Sequence, residues 1–241
     1  VSESLLSVEG LTAGYGGASV LRDLNLTVEA GEVVALLGAN GAGKTTALRV
    51  ISGLIRPMGG RVHFDGRRIG SSSPHALAKR GLAHVPEGRG IFHGLTVGEH
   101  FRLGYGGRKL DPEEAYAYFP VLRPLARRRA GLLSGGEQQM LALARVLVCR
   151  RKLLLIDELS LGLAPVIVDA ILPTLRDFAK QTGAGVLIVE QHVARVLEVA
   201  DRGYVLSHGE TVMDGSAATL RRDRHLIMAS YLGRNAPGAA T

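Results

Sequence analysis

The feature that most narrows the folds open to this chain is the octapeptide G-A-N-G-A-G-K-T, Gly38 to Thr45. It directly follows the apolar run V-V-A-L-L and directly precedes A-L-R-V-I-S-G-L, whose apolar residues recur at helical spacing. A strand, a glycine-rich loop and a helix in that order make a cradle for phosphate. Gly38, Gly41 and Gly43 let the backbone bend so that consecutive N–H groups, across Asn40 and Ala42, point inward at phosphate oxygens. The helix N-terminus adds roughly half a positive charge. Lys44 brings a point charge to the β- and γ-phosphates, the Thr45 hydroxyl is placed for Mg2+, and Thr46 supports the phosphate site.

Such a loop needs a second strand carrying an acidic residue at its carboxyl end, where open parallel sheets bind ligands. The run K-L-L-L-I-D-E supplies one, closing on Asp157 and Glu158. Two carboxylates at the end of a buried apolar strand are costly without a cation. Asp157 is therefore expected to hold Mg2+ opposite Thr45, and Glu158 to polarise an attacking water. A third element is L-L-S-G-G-E-Q-Q-M, Leu132 to Met140. Ser134 can cap a helix there and Glu137, three residues on, can close a capping box. Gly135 and Gly136 weaken that first turn yet allow a phosphate close to the backbone.

The remaining pattern sets these motifs in an α/β frame. Val33 to Leu37, Leu153 to Ile156 and Val186 to Val189 are short, unalternating apolar runs, the mark of parallel strands covered on both faces. Helical patterns begin at Lys44, Gly135, Pro165 and Val193. Leu5 to Val8, Leu24 to Val28 and Arg61 to Phe64 read as short antiparallel strands, and Tyr204 to Leu206 with Thr211 to Met213 as a late hairpin. Residues 96–132, punctuated by Pro112, Pro120 and Pro124, read as a polar helical insertion. The 241 residues are thus expected to form one domain: a nucleotide-binding core of mainly parallel sheet, 1–95 and 133–234, with an N-terminal antiparallel β part. A helical subdomain covers 96–132 and a frayed tail 235–241.

A net charge of +7 points to an anionic partner, although its one local cluster, Arg127, Arg128 and Arg129, reads as solvated surface. The single cysteine, Cys149, excludes an intramolecular disulfide and suits a reducing compartment; its apolar neighbours make it a buried structural thiol. The start V-S-E-S-L-L-S-V has no basic region leading into a long apolar one, and no apolar run nears the ~20 residues that cross a bilayer.

Taken together, Gly38 to Thr45, L-S-G-G-E-Q and the apolar strand ending in D-E resemble the nucleotide-binding subunit of ATP-binding cassette (ABC) transporters. The stretches V-P-E-G-R at Val85 to Arg89, S-L-G-L-A-P at Ser160 to Pro165, and V-E-Q-H at Val189 to His192 are most similar to the ATPases of branched-chain amino acid importers and their urea and amide relatives. The resemblance implies a P-loop ATPase using ATP and Mg2+, with Tyr15 of L-T-A-G-Y-G stacking on adenine. It implies that Ser134, Gly135, Gly136 and Glu137 clasp the γ-phosphate of ATP held by a second ABC ATPase subunit, the same chain or a paralogue, in a head-to-tail dimer. It further implies membrane permease subunits docking on residues 96–132, a solute-binding protein as an indirect partner, and a peripheral place on the cytoplasmic side of the cell membrane. Nucleic acid is not expected as a partner. A soluble cassette ATPase of nucleic acid or the ribosome, the alternative that the charge suggests, commonly carries two cassettes or a long coiled-coil insertion. A P-loop kinase of a small metabolite leaves L-S-G-G-E-Q unexplained.

The chain departs from the family pattern at four places. Glu87 stands where a glutamine usually faces Mg2+ and the attacking water; a carboxylate can still ligate the metal, and Glu87 is expected to serve coupling to the membrane subunits more than chemistry. Leu159 replaces a proline, leaving the turn after Glu158 less pre-set, and Ala164 replaces an aspartate. The family also places a γ-phosphate sensor, usually histidine, just beyond the last apolar strand. Counting back from Ala200-Asp201-Arg202 puts Gln191 in that position. His192, the fitter charged sensor, is then its neighbour at the first turn of the next helix.

Overall fold

A computed structural model describes residues 4–103 and 110–231; the tail expected to fray from Asn235 lies outside them. The chain opens on a long hairpin, β1 (Leu6–Tyr15) and β2 (Ala18–Val28), then enters β3 (Val33–Gly38), buried at all six positions. The phosphate loop leads into α1 (Lys44–Ile51). Strands β4 (Gly59–Phe64) and β5 (Arg67–Arg68) return to the hairpin and complete a four-stranded antiparallel sheet, ordered β2-β1-β4-β5. The three expected antiparallel strands are present and longer than expected, and β5 is an addition.

A short helix, α2 (Pro74–Arg80), precedes β6 (Leu82–Val85). Next come α3 (Val97–Leu103), α4 (Pro112–Tyr118) and α5 (Gly135–Leu147). Strand β7 (Leu153–Asp157), α6 (Pro165–Thr182), β8 (Gly185–Glu190) and α7 (Val193–Val199) continue the alternation. A final hairpin, β9 (Arg202–Ser207) and β10 (Glu210–Ser216), is followed by α8 (Ala217–Arg222) and α9 (Arg224–Tyr231). The six-stranded sheet runs β10-β9-β3-β8-β7-β6, parallel except for β10 at its edge. Strand β6, only four residues long, carries too little pattern to be seen in the sequence.

The unalternating apolar strands follow from burial on both faces. Val33, Ala35 and Leu37 join Leu141, Leu175 and Phe178 on one side of the sheet. Val34 and Leu36 join Leu21, Leu48 and Leu187 on the other, beneath the antiparallel sheet. Each such valine, leucine or phenylalanine side chain contributes about 1.5–3 kcal/mol on leaving water. Arg202 ties the two sheets together: it pairs with Glu32 and donates to the Tyr204 hydroxyl at 2.8 Å and the Thr27 carbonyl at 2.9 Å.

The described residues of 96–132 are helical in part, as the sequence suggests, but not polar throughout. Besides α3 and α4, turns and bends occupy residues 123–128, and 3-10 turns occupy Pro120–Leu122 and Ala130–Leu132. The segment is not polar inside, because Val97, Phe101, Tyr116 and Leu122 pack into the same core as the parallel sheet. Phe101 and Tyr116 meet edge to face at 5.7 Å. His100, fully buried, accepts the Phe92 N–H at Nε2 (3.0 Å) and lies 2.8 Å from the Thr96 carbonyl at Nδ1.

Candidate active site

Because β8 lies between β3 and β7, the carboxyl ends of these three parallel strands stand side by side, the usual ligand position of such a sheet. From β3 comes the phosphate loop. Gly41 and Gly43 take left-handed backbone angles, φ 79° and 106°, which other residues adopt at a cost. Gly38 is required for a different reason: a Cβ there would sit 2.6 Å from the Leu206 carbonyl oxygen of β9. Gly43 caps α1 and, having no side chain, makes no side-chain bond to the first amides of the helix.

The Lys44 ammonium is buried. It donates to the carbonyls of Gly38 at 2.8 Å and Ala39 at 3.0 Å and lies 3.7 Å from Glu158 Oε1. Burial lowers its pKa from the usual lysine value, against the opposing pull of Glu158, Asp157 and Glu190. From β7 comes Asp157, 2% exposed, whose Oδ1 accepts the Thr45 hydroxyl at 3.2 Å. Burial pushes its carboxyl up to about 6; the Thr45 bond works against this, and the charges of Glu158 and Glu87 add to it. Thr46, also buried, follows in the first turn of α1.

A hydroxyl and a buried carboxylate 3.2 Å apart, with a second carboxylate close enough to act on the first, suit a small hard cation such as Mg2+. Glu158 turns the chain with φ 45°, a left-handed angle rare for a carboxylic acid residue. Leu159 anchors this turn by packing, being fully buried in the core. Burial thus helps to hold the turn that lacks a proline.

A family model described as ABC transporter matches residues 21–160. The chain belongs to that family. A branched-chain amino acid transport ATP-binding protein, BraG of Pseudomonas aeruginosa, is 37% identical over 95% of this chain and all of its own length. The ATP-binding protein LptB of the lipopolysaccharide export system of Haemophilus influenzae is 34% identical over 95% of this chain and 98% of its own. Among solved structures, an ABC transporter cassette in its ADP conformation superposes with a TM-score of 0.83, covering 97% of this chain and 100% of that one at 25% identity.

In this ABC ATPase the other candidate residues sit around the cluster in different ways. Tyr15 ends β1, 44% exposed, its hydroxyl accepting from Arg49 Nη1 at 3.0 Å. Glu87 is exposed in the loop after β6, the strand beside β7. Gln191 and His192 are both exposed. His192 is the N-cap of α7, one place before the first turn in which the sequence puts it.

Ser134 and Glu137 form the expected capping box at the start of α5: Ser134 N–H donates to Glu137 Oε2 at 2.7 Å, and Glu137 N–H to Ser134 Oγ at 3.3 Å. Gly136 packs so closely that a Cβ would lie 2.9 Å from Ile167 of α6. Among the described residues, no hydrogen bond or ion pair joins Ser134, Gly135, Gly136 or Glu137 to the cluster of Lys44, Thr45, Asp157 and Glu158. Arg127, Arg128 and Arg129 are exposed, as the solvated reading has them. Cys149 is half-buried, with Sγ bonded to the Arg145 carbonyl at 3.1 Å, less enclosed than its apolar neighbours suggest.

Sequence reasoning missed Glu190 and Ser160. Glu190 ends β8, 3% exposed, and accepts the Ser160 N–H and hydroxyl, each at 2.7 Å, and the Gln191 N–H at 3.2 Å. It fixes the turn after Glu158 from the neighbouring strand. The visible signal was an acid ending an apolar strand, the argument already applied to Asp157.

Proposed function

We propose that this ABC ATPase powers an importer of branched-chain amino acids or related small solutes through partner permeases. The observation that carries the catalytic part is the meeting of Lys44, Thr45, Asp157 and Glu158 at the ends of β3 and β7. On this reading the phosphate loop wraps the phosphates of ATP, and Lys44 exchanges its carbonyl partners for phosphate oxygens. Glu158 polarises the attacking water, Tyr15 stacks on adenine, and Gln191, or His192 beside it, senses the γ-phosphate. Thr45 and Asp157, with Glu87 at the edge, would hold Mg2+, which would supply charge neutralisation at the β- and γ-phosphates.

That no hydrogen bond or ion pair among the described residues joins Ser134–Glu137 to the cluster of Lys44, Thr45, Asp157 and Glu158 supports a head-to-tail dimer, of this chain or with a paralogue, in which each signature helix faces the other subunit's ATP. No helix of the described residues is long and apolar enough to cross a membrane, in keeping with a peripheral subunit on the cytoplasmic side. We take residues 96–132 as the unit that receives the permease, and Glu87 as a coupling residue.

The likeness to BraG favours import of branched-chain amino acids. The likeness to LptB favours a second reading, a cassette serving export of a lipid-linked polymer. Uptake of radiolabelled leucine by cells carrying or lacking this ATPase separates the two: uptake lost with the gene and restored by it supports import. Unchanged leucine, urea and amide uptake, with an envelope defect instead, would reverse the choice. Glu87→Gln should slow transport-coupled hydrolysis more than basal hydrolysis; equal rates in both assays would remove Glu87 from coupling.

A further inference from the structure

Two residues after Glu87 the chain reaches Arg89, which holds a left-handed backbone angle, φ 63°. A non-glycine residue stays there only where its surroundings over-determine it, and here the surroundings belong to the signature helix. Arg89 Nη1 donates to Gln138 Oε1 at 2.6 Å and Nε donates to Gln139 Oε1 at 3.3 Å. Its Nη2 lies 3.3 Å from the place that a Cβ on Gly135 would occupy. The guanidinium therefore lies against the first turn of α5 and grips the two residues that follow the capping box.

The grip continues beyond Arg89. Gln139 is 4% exposed, and the Gln138 amide is fully engaged, because its Nε2 donates to the carbonyls of Ala130 at 3.1 Å and Leu133 at 3.3 Å. From the same helix, Arg145 Nη1 reaches back to the Gly90 carbonyl at 3.1 Å. Two arginines, one on each element, thus bind the loop Pro86–Gly90 to α5. A planar, forked guanidinium holding two acceptors transmits position in a way that a single flexible ammonium does not.

We infer that Arg89 is a positioning residue that makes the loop carrying Glu87 and the turn Ser134–Glu137 move as one body. This rests on the reading of those two segments as parts of one ATP site, completed across a dimer. A displacement of Glu87 by bound nucleotide is then delivered to the signature turn, and a displacement of the signature turn by the second subunit is delivered to Glu87. Among the described residues no side-chain hydrogen bond or ion pair ties the phosphate loop to either segment, and it binds ATP independently of the strut.

The test uses the full chain with Mg-ATP and compares wild type, Arg89→Ala, Arg89→Lys, Gln138→Ala and the double variant R89A/Q138A. Three quantities are read: kcat, KM, and the Kd of a fluorescent ATP analogue. Thermal midpoints confirm that each variant is folded. Arg89→Ala and Gln138→Ala should each lower kcat about tenfold, as misplacement of reacting groups does. The double variant should be no worse than either single one, and the Kd should stay within about twofold of wild type. Arg89→Lys should fail to restore kcat. The inference is overturned by wild-type kcat in Arg89→Ala, by full rescue with lysine, or by losses that multiply in the double variant. Hydrolysis by the wild type that is indifferent to Glu158→Gln would instead unseat the site reading itself, so the two failures are told apart.

Discussion

Lys44 Nζ lies 3.7 Å from Glu158 Oε1 while bonded to the carbonyls of Gly38 and Ala39. The cation of the phosphate loop is thus buried against its own strand end and beside the carboxylate proposed to act on water. Glu158→Gln keeps the shape of that carboxylate and removes its charge. ATP turnover should fall by about 10²–10⁴-fold, the usual reach of general-base catalysis, while a binding assay finds ATP affinity retained. Lys44→Ala should lose the binding itself.

Gln191 and His192 are adjacent and exposed, but only Gln191 has its backbone N–H fixed by Glu190. Gln191→Ala should lower kcat strongly and His192→Ala only slightly. Hydrolysis abolished by the histidine variant alone would show that the register counted from Ala200-Asp201-Arg202 is displaced by one.

Ala164 is the N-cap of α6 with no side-chain bond to the helix, and Pro165 follows at the first helical position. Ala164→Asp supplies an acceptor for the orphan amides and a charge suited to the helix start, near Arg195, which already donates to the Pro165 carbonyl at 3.1 Å. The variant should be more stable by about 0.5–2 kcal/mol, read as a rise in denaturant midpoint at unchanged slope. A lower midpoint would mean that the aspartate side chain cannot turn to the helix.

His84 on β6 has a buried Nε2 without a hydrogen-bond partner among the described residues, and burial, helped by the charge of Arg49, lowers its pKa from 6.5 to about 4. The unfolded chain therefore takes up a proton first as pH falls. The stability that depends on a neutral His84 is complete above pH 6.5 and is lost progressively as pH drops toward 4, with an upper bound of about 3 kcal/mol. Urea unfolding between pH 7 and 4 should show this slope in the wild type and a flatter one in His84→Leu. A slope that survives the substitution would assign the acid sensitivity to another group, and the buried His100, whose pKa burial also lowers, is the next to test.

Much of the architecture was legible because its signals are local. The capping box of Ser134 and Glu137, the glycines at positive φ in the phosphate loop and the unalternating apolar strands each depend on residues within a few places of one another. What misled the reading of residues 96–132 was composition: charged residues between prolines hid Val97, Phe101 and Tyr116, whose burial depends on a sheet assembled from far along the chain. Strand β6 was too short to show a pattern, and Glu190 carried the visible signal of an acid ending an apolar strand, but its partner Ser160 comes from a turn thirty residues away.

By itself the sequence determined which chemical groups this protein brings to a nucleotide: a loop of amides with one lysine, a hydroxyl, and two carboxylates on an apolar strand. Only the tertiary structure decided who their neighbours are. It placed β8 between β3 and β7, buried Asp157 against Thr45, and set Arg89 across Gln138 and Gln139. The physical reason is one of range. Backbone conformation and capping are settled among residues a few places apart, whereas strand order, burial and the partner of a buried charge are settled when the whole core closes.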